Sequence, residues 1–178
     1  MAEITGGMIV ETKKAFLGND LRAADSVMKD EVVVNNLRDI ITKYLSSIFS
    51  SEVVTEHQAR TISGLLHVVS DVEHIGDYCK NIAEFAIEKT KNGYEFSDNA
   101  CAEIYQCFER GTKLVNDTIE ALSTGSQKLA RSVKLQEDDL DELEGTLRMK
   151  HMERLNRRQC SPEFTVIYTD VIHNIENI

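Results

Sequence analysis

Apolar residues recur along this chain at alternating steps of three and four, the rhythm of helices that lay one seam against partner helices. The stretch 65–86 keeps it throughout, with Leu65, Val68, Val72, Ile75, Cys79, Ile82 and Ala86 on a single seam, and a core helix is predicted there. Thr55-Glu56-His57-Gln58 has the capping-box form, Thr55 to cap and Gln58 to reach back, so this helix starts there. Asn92-Gly93 stops it after about Lys91.

The same reading orders the rest of the chain. A first helix covers Ile4 to Leu17, with Gly6 and Gly7 weakening its start, and Gly18-Asn19-Asp20 ends it and caps the next. The second helix runs to about Phe49 on a seam of Val27, Val34, Leu37, Ile41, Tyr44 and Ile48, before a polar connection beginning at Ser50 and Ser51. Ser97-Asp98 caps a fourth helix with Ala100, Ile104, Phe108, Leu114, Val115, Ile119 and Leu122. After the turn Ser123-Thr124-Gly125-Ser126, a fifth runs from about Gln127 to Arg157 on Val133, Leu140, Leu143 and Leu147. Ser161-Pro162-Glu163 reads as cap, first-turn proline and first-turn acid of a sixth, which reaches Ile178 with no terminator.

Composition agrees with an all-helical chain. Its 178 residues, 42% hydrophobic, suffice for a real core, and one proline and nine glycines leave long stretches without a helix breaker. A formal net charge of −10 disfavours nucleic acid, which needs clustered Lys and Arg, and points to cations or basic partners. Cys79, Cys101, Cys107 and Cys160 show neither a Cys-x-x-Cys pair nor zinc-ligand spacing and read as reduced, buried cysteines of a cytosolic protein. There is no signal peptide and no apolar run near the length of a membrane span.

The candidate chemistry lies in carboxylates beside the seams. Glu73 and Asp77 stand one helical turn apart on an outward face, where like charges repel, so a positive group is expected against them. Gly76 between them gives up helix propensity, which makes sense where a backbone or ligand comes close. The chain also matches itself. Sliding the second helix onto the fifth lays Ala24, Ser26, Val27 and Glu31 on Ala130, Ser132, Val133 and Glu137, and Asn35 on Asp141. A slightly shorter shift lays Val72, Glu73 and Ile75 on Ile175, Glu176 and Ile178. Two tandem three-helix bundles follow, an all-α fold of six helices divided into 1–93 and 94–178 with the last helix truncated. Packing does not require matching acids off the seam. Three or four carboxylates on one patch would form a hard-oxygen site for Mg²⁺, Mn²⁺, Ca²⁺ or iron.

At these residues the chain resembles the PhoU family of phosphate-uptake regulators. The family's E(D)xxxD pair within a Leu-Glu-Arg-Ile-Gly-Asp-like segment, followed by Asn-Ile-Ala-Glu, is similar to Val72-Glu73-His74-Ile75-Gly76-Asp77 and Asn81-Ile82-Ala83-Glu84. A second copy, Asn174-Ile175-Glu176-Asn177-Ile178, stops where Gly-Asp would follow, as expected of a fragment. The phrasing is most like the PhoU-like domain at the cytoplasmic C-terminus of bacterial sodium/phosphate cotransporters, through Tyr44-Leu45, Arg154-Leu155 to Cys160, Ile167-Tyr168, Asp170-Val171-Ile172 and Asn174.

The resemblance implies a non-catalytic regulator of inorganic phosphate uptake, cytoplasmic and at the inner face of the cell membrane as part of a membrane protein. The alternative is a free-standing PhoU-type regulator of a phosphate ABC transporter. The implied partners are the membrane domain of a phosphate transporter and a further copy of the chain, with no nucleic acid and no membrane insertion. The resemblance also implies multinuclear iron or zinc, with magnesium or calcium as weaker alternatives. By position the ligands are Glu31, Glu73 and Asp77 in the first bundle and Glu137, Asp141 and Glu176 in the second. His74 and Asn177 replace the usual Arg, Asn35 replaces the preferred Asp and the final Asp is missing, so the second site is expected to be incomplete and the first weakened.

Two rivals compete with this reading. A carboxylate-bridged di-metal enzyme on a helical bundle would use Glu-x-x-His from two helices. Asp71-x-x-His74 and Asp170-x-x-His173 imitate that motif but do not superpose in the repeat, and the five histidines read as surface or locally bonded residues. The other rival is a bundle that acts through protein contacts alone.

Overall fold

The computed structural model describes residues 1–51, 54–160 and 164–178. It is built of α1 (Ala2–Gly18), α2 (Leu21–Ser51), α3 (Glu56–Asn92), α4 (Asp98–Thr124), α5 (Gln127–Asn156) and α6 (Thr165–Glu176), with no strand among the described residues. The all-α expectation holds. The predicted cap at Ser161-Pro162-Glu163 lies outside the described residues.

Local sequence chemistry sets the helix ends. Thr55 Oγ1 accepts from the backbone N–H of Gln58 while Gln58 Oε1 accepts from that of Thr55, closing the capping box. Ser97 and Ser126 cap α4 and α5 through the backbone N–H groups of Ala100 and Leu129. Gly93 and Gly125 end α3 and α4 at φ 65°. At the α1 end the left-handed residue is Asn19 (φ 53°), whereas Gly18 stays helical. Asp20 Oδ1 then accepts from Arg22 and Ala23 at 2.9 and 3.2 Å and starts α2. Helix α1 begins at Ala2, with Gly6 and Gly7 inside it, and α2 continues through Ser51.

Helices α1, α2 and α3 pack on one another, as do α4, α5 and α6, and contacts of α1 with α4 and α3 with α6 join the triplets. One core runs through both, from Met8, Phe16, Val27 and Ile82 to Ile104, Phe108, Leu147 and Ile172. Burying each of the larger apolar side chains stabilises the fold by about 2 kcal/mol. Phe96, in the link between triplets, packs against Phe16 and Phe164 with ring centroids 5.9 and 5.8 Å apart. The buried Lys89 Nζ donates to Phe16 O at 2.9 Å and Asn19 Oδ1 at 2.7 Å, satisfying the C-terminus of α1 from α3.

Several faces are turned differently from the predicted seams. Tyr44 is 67% exposed, Leu65 and Leu122 are open, and Ile62 takes the buried place at the start of α3. Gly76 meets the Val34 and Met8 side chains at ordinary contact distances rather than a backbone. The close approach falls instead at Gly111, where an added Cβ would stand 3.1 Å from Ile175 Cγ2 and 3.5 Å from the Ile175 carbonyl oxygen.

Candidate functional site: two carboxylate patches

The first patch joins α2 to α3. Glu31 and Glu73, expected on an outward face, are only 5% and 6% exposed, because the α2–α3 contact closes over them. A buried carboxylate needs a partner, and each has one. Lys80 Nζ lies 3.0 Å from Glu31 Oε1, which also accepts from Asn35 Nδ2 at 2.9 Å. Arg38 Nη1 lies 2.5 Å from Glu73 Oε1. Asp77 is half-buried beside this network and holds the Arg38 and Lys80 cations through its charge. The buried Asn35 Oδ1 has no hydrogen-bond partner among the described residues. The positive charge anticipated against the Glu73-Asp77 pair is therefore supplied by the protein.

Sequence reading missed both cations, although helical spacing carried the signal. Arg38 follows Glu31 and Asn35 by seven and three positions, and Lys80 follows Glu73 and Asp77 by the same steps, so each shares its acids' helix face.

The second patch is balanced differently. Glu176 of α6 faces Glu137, Asp141 and Glu144 of α5. Its burial, a hydrogen bond with Asp141 and the charges of Asp141, Glu144 and Glu137 push its carboxyl up to about 7. Asn177 Nδ2 donates to Glu176 Oε2 at 2.7 Å, and His173 Nδ1 lies 3.5 Å from the same oxygen. Arg148 pairs with Glu144. Glu137 and Asp141 are exposed and make no ion pair among the described residues. The equivalent acids of the repeat thus meet two cations in the first triplet and mainly one another in the second.

This contrast decides where a metal fits. No group of three His, Cys, Asp or Glu among the described residues is already gathered to hold an ion. In the first patch Arg38 and Lys80 occupy the carboxylates, and a cation would have to displace them. The second offers the hard oxygen donors of Glu137, Asp141 and Glu176, none of them held by a lysine or arginine among the described residues, a donor set of the kind that suits a divalent or ferric ion. Asp71, His74, Asp170 and His173 form no such cluster.

Sequence reasoning also missed a buried polar cluster on α4, α5 and α6. Arg154 Nη1 and Nη2 donate to the two oxygens of Glu103 at 2.9 and 2.7 Å, and Tyr168 Oη donates to Glu103 Oε2 at 2.6 Å. His151 stacks on Tyr168 with ring centroids 4.4 Å apart. Where the histidines were expected to be surface or locally bonded residues, His151 is buried, and its Nε2 has no hydrogen-bond partner among the described residues.

Two joined helical triplets with acidic residues at matching places define an all-helical bundle. The PhoU domain family model matches residues 1–86 and 104–178, and the chain belongs to that family. The chain is 24% identical over 155 residues to a phosphate-specific transport system accessory protein PhoU homolog of Thermotoga maritima, spanning 87% of this chain and 66% of that protein. Against the Aquifex aeolicus homolog it is 26% identical over 146 residues, 80% of this chain and 63% of that one. The chain thus spans slightly less than two thirds of these relatives. Among solved structures, PhoU from Pseudomonas aeruginosa superposes with a TM-score of 0.90 at 19% identity, covering 99% of this chain and 84% of that one. The Streptococcus pneumoniae phosphate transport system regulatory protein PhoU gives 0.84 at 15%, covering 99% and 81%.

Proposed function

We propose that this chain is a non-catalytic regulator of inorganic phosphate uptake that works by docking on a phosphate transporter from the cytoplasmic side. The observation that carries this reading is the family match over both triplets, with the curated relatives named as accessory proteins of phosphate-specific transport systems. Those names favour a free-standing regulator of a phosphate ABC transporter over the cytoplasmic domain of a sodium/phosphate cotransporter. No described helix is long and apolar enough to cross a membrane. Reciprocal affinity purification from the host tests the reading. Recovery with the ATP-binding subunit of a phosphate ABC transporter supports it. Occurrence only within a larger membrane-embedded polypeptide favours the cotransporter form, and absence of any phosphate-transport component from both preparations overturns both.

We further propose that Glu137, Asp141 and Glu176 hold a metal ion, iron or zinc in first place and magnesium or calcium in second. The supporting observation is the crowding of these carboxylates, with no lysine or arginine paired to Glu137, Asp141 or Glu176 among the described residues. A bound cation there would offset the mutual repulsion of these carboxylates. Glu31, Glu73 and Asp77 would join a second centre only if Arg38 and Lys80 swung away. Elemental analysis of protein purified without chelator should find metal, reduced in Asp141→Asn and unchanged in Glu31→Gln. Metal at background, with thermal stability unaffected by chelation, would contradict the site.

A further inference from the structure

Away from both acidic patches, a cavity of about 250 Å³ lies where the two links of the second triplet meet. The link between α3 and α4 brings Glu95 and Phe96 to it, the last turns of α5 bring His151 and Arg154, and the link after α5 brings Gln159 and Phe164.

The polar groups of this cavity are largely unmet. His151 is 3% exposed, and its Nε2 has no hydrogen-bond partner among the described residues, a state that is costly for a buried polar atom. Burial and the nearby Arg154 charge keep the imidazole neutral, so it offers a single donor or acceptor rather than a cation. Gln159 makes no side-chain hydrogen bond, and Glu95 no ion pair, among the described residues. Arg154 is not free to hold an anion, because Nη1 and Nη2 both go to Glu103. The half-buried Phe96 and Phe164, with ring centroids 5.8 Å apart, give the cavity aromatic walls.

We propose that this cavity binds a small planar N-heterocycle with an amino group beside a ring nitrogen, the pattern of an aminopyridine or of adenine. Such an edge presents a donor and an acceptor side by side, so it satisfies His151 Nε2 in either tautomer. The Gln159 amide has the same two-sided character and can pair with the same kind of edge. The phenylalanine rings suit the flat faces of the ligand, and the volume, small for a ligand site, suits one or two rings. The exposed Glu95 carboxylate favours a neutral or cationic ligand over a phosphate ester. The inference is independent of the phosphate reading and of the metal site, and shares no residue with either.

The test titrates the full chain with 2-aminopyridine, adenine and adenosine monophosphate, each to about 5 mM, a range that reveals millimolar binding. The His151 ring nitrogens, followed by long-range proton–nitrogen NMR, should shift saturably with the first two probes. The melting temperature should rise by about 3 °C once either reaches about ten times its Kd. His151→Phe, which keeps the stack on Tyr168 and removes the nitrogen, should weaken both by about tenfold. Adenosine monophosphate should bind more weakly than adenine, and Glu95→Lys should narrow that gap. The proposal is overturned if neither heterocycle moves the His151 nitrogens, if His151→Phe binds both as tightly as the original chain, or if adenosine monophosphate binds as well as adenine.

Discussion

At Glu103 the consequences of burying charge can be followed atom by atom. Burial by itself would raise this carboxyl, but hydrogen bonds from Arg154 and Tyr168 and the charges of Arg154 and Lys150 hold it below the usual carboxylate range. Glu103→Ala leaves a largely buried guanidinium and a buried phenol without their acceptor, and should destabilise the fold by about 2 kcal/mol in a urea melt. His151 next to it is held below its ordinary value, first by burial and then by the charge of Arg154. The unfolded chain takes up that proton near pH 6.5, and the folded chain does so only at lower pH. Its stability contribution is therefore complete above about pH 6.5 and lost as the pH falls through the folded value. His151→Phe should flatten the fall in stability between about pH 7 and pH 5. It should also gain about 1 kcal/mol at pH 7, since it removes a buried nitrogen that has no partner among the described residues. Denaturant midpoints across that range check both. Neither role was legible in the sequence, where His151 and Glu103 lie far apart and meet only once α4 and α5 pack.

At the level of helices, two glycines that look alike in sequence should respond in opposite ways to an added methyl group. Gly76→Ala meets only ordinary contacts with Val34 and Met8, so the gain in helix propensity should stabilise the chain by about 0.5–1 kcal/mol. Gly111→Ala pushes into Ile175, whose backbone carbonyl is also near, and the crowding between α4 and α6 should cancel or reverse that gain. Thermal melts of the two variants side by side read the difference. The elements themselves were legible because their signals are local: the seams of three and four, the Thr55-Gln58 box, and the glycines at 93 and 125. The burial of each face was less so. Three-helix packing fixes which flank of a seam is covered, so Tyr44 and Leu122 stay open while Glu31 and Glu73 go under. The acids of the site were found from their spacing. Their neutralisation by Arg38 and Lys80 depends on the register of α2 against α3, which the seam alone does not set.

Over the whole molecule, the triplets share one continuous core and are joined by the α1–α4 and α3–α6 contacts. The first patch is tied up by the protein's own cations and reads as structural, whereas the second concentrates negative charge near an open groove and reads as the part that meets something else. The central claim is that this surface adjusts phosphate entry, and phosphate uptake measures it most directly. Initial rates of radiolabelled phosphate uptake would be compared at low and high external phosphate, in host cells with and without the coding segment. The account predicts that its removal changes how uptake depends on external phosphate, and that the intact chain restores the original dependence. Uptake curves that coincide at every phosphate concentration, with and without the protein, would contradict it.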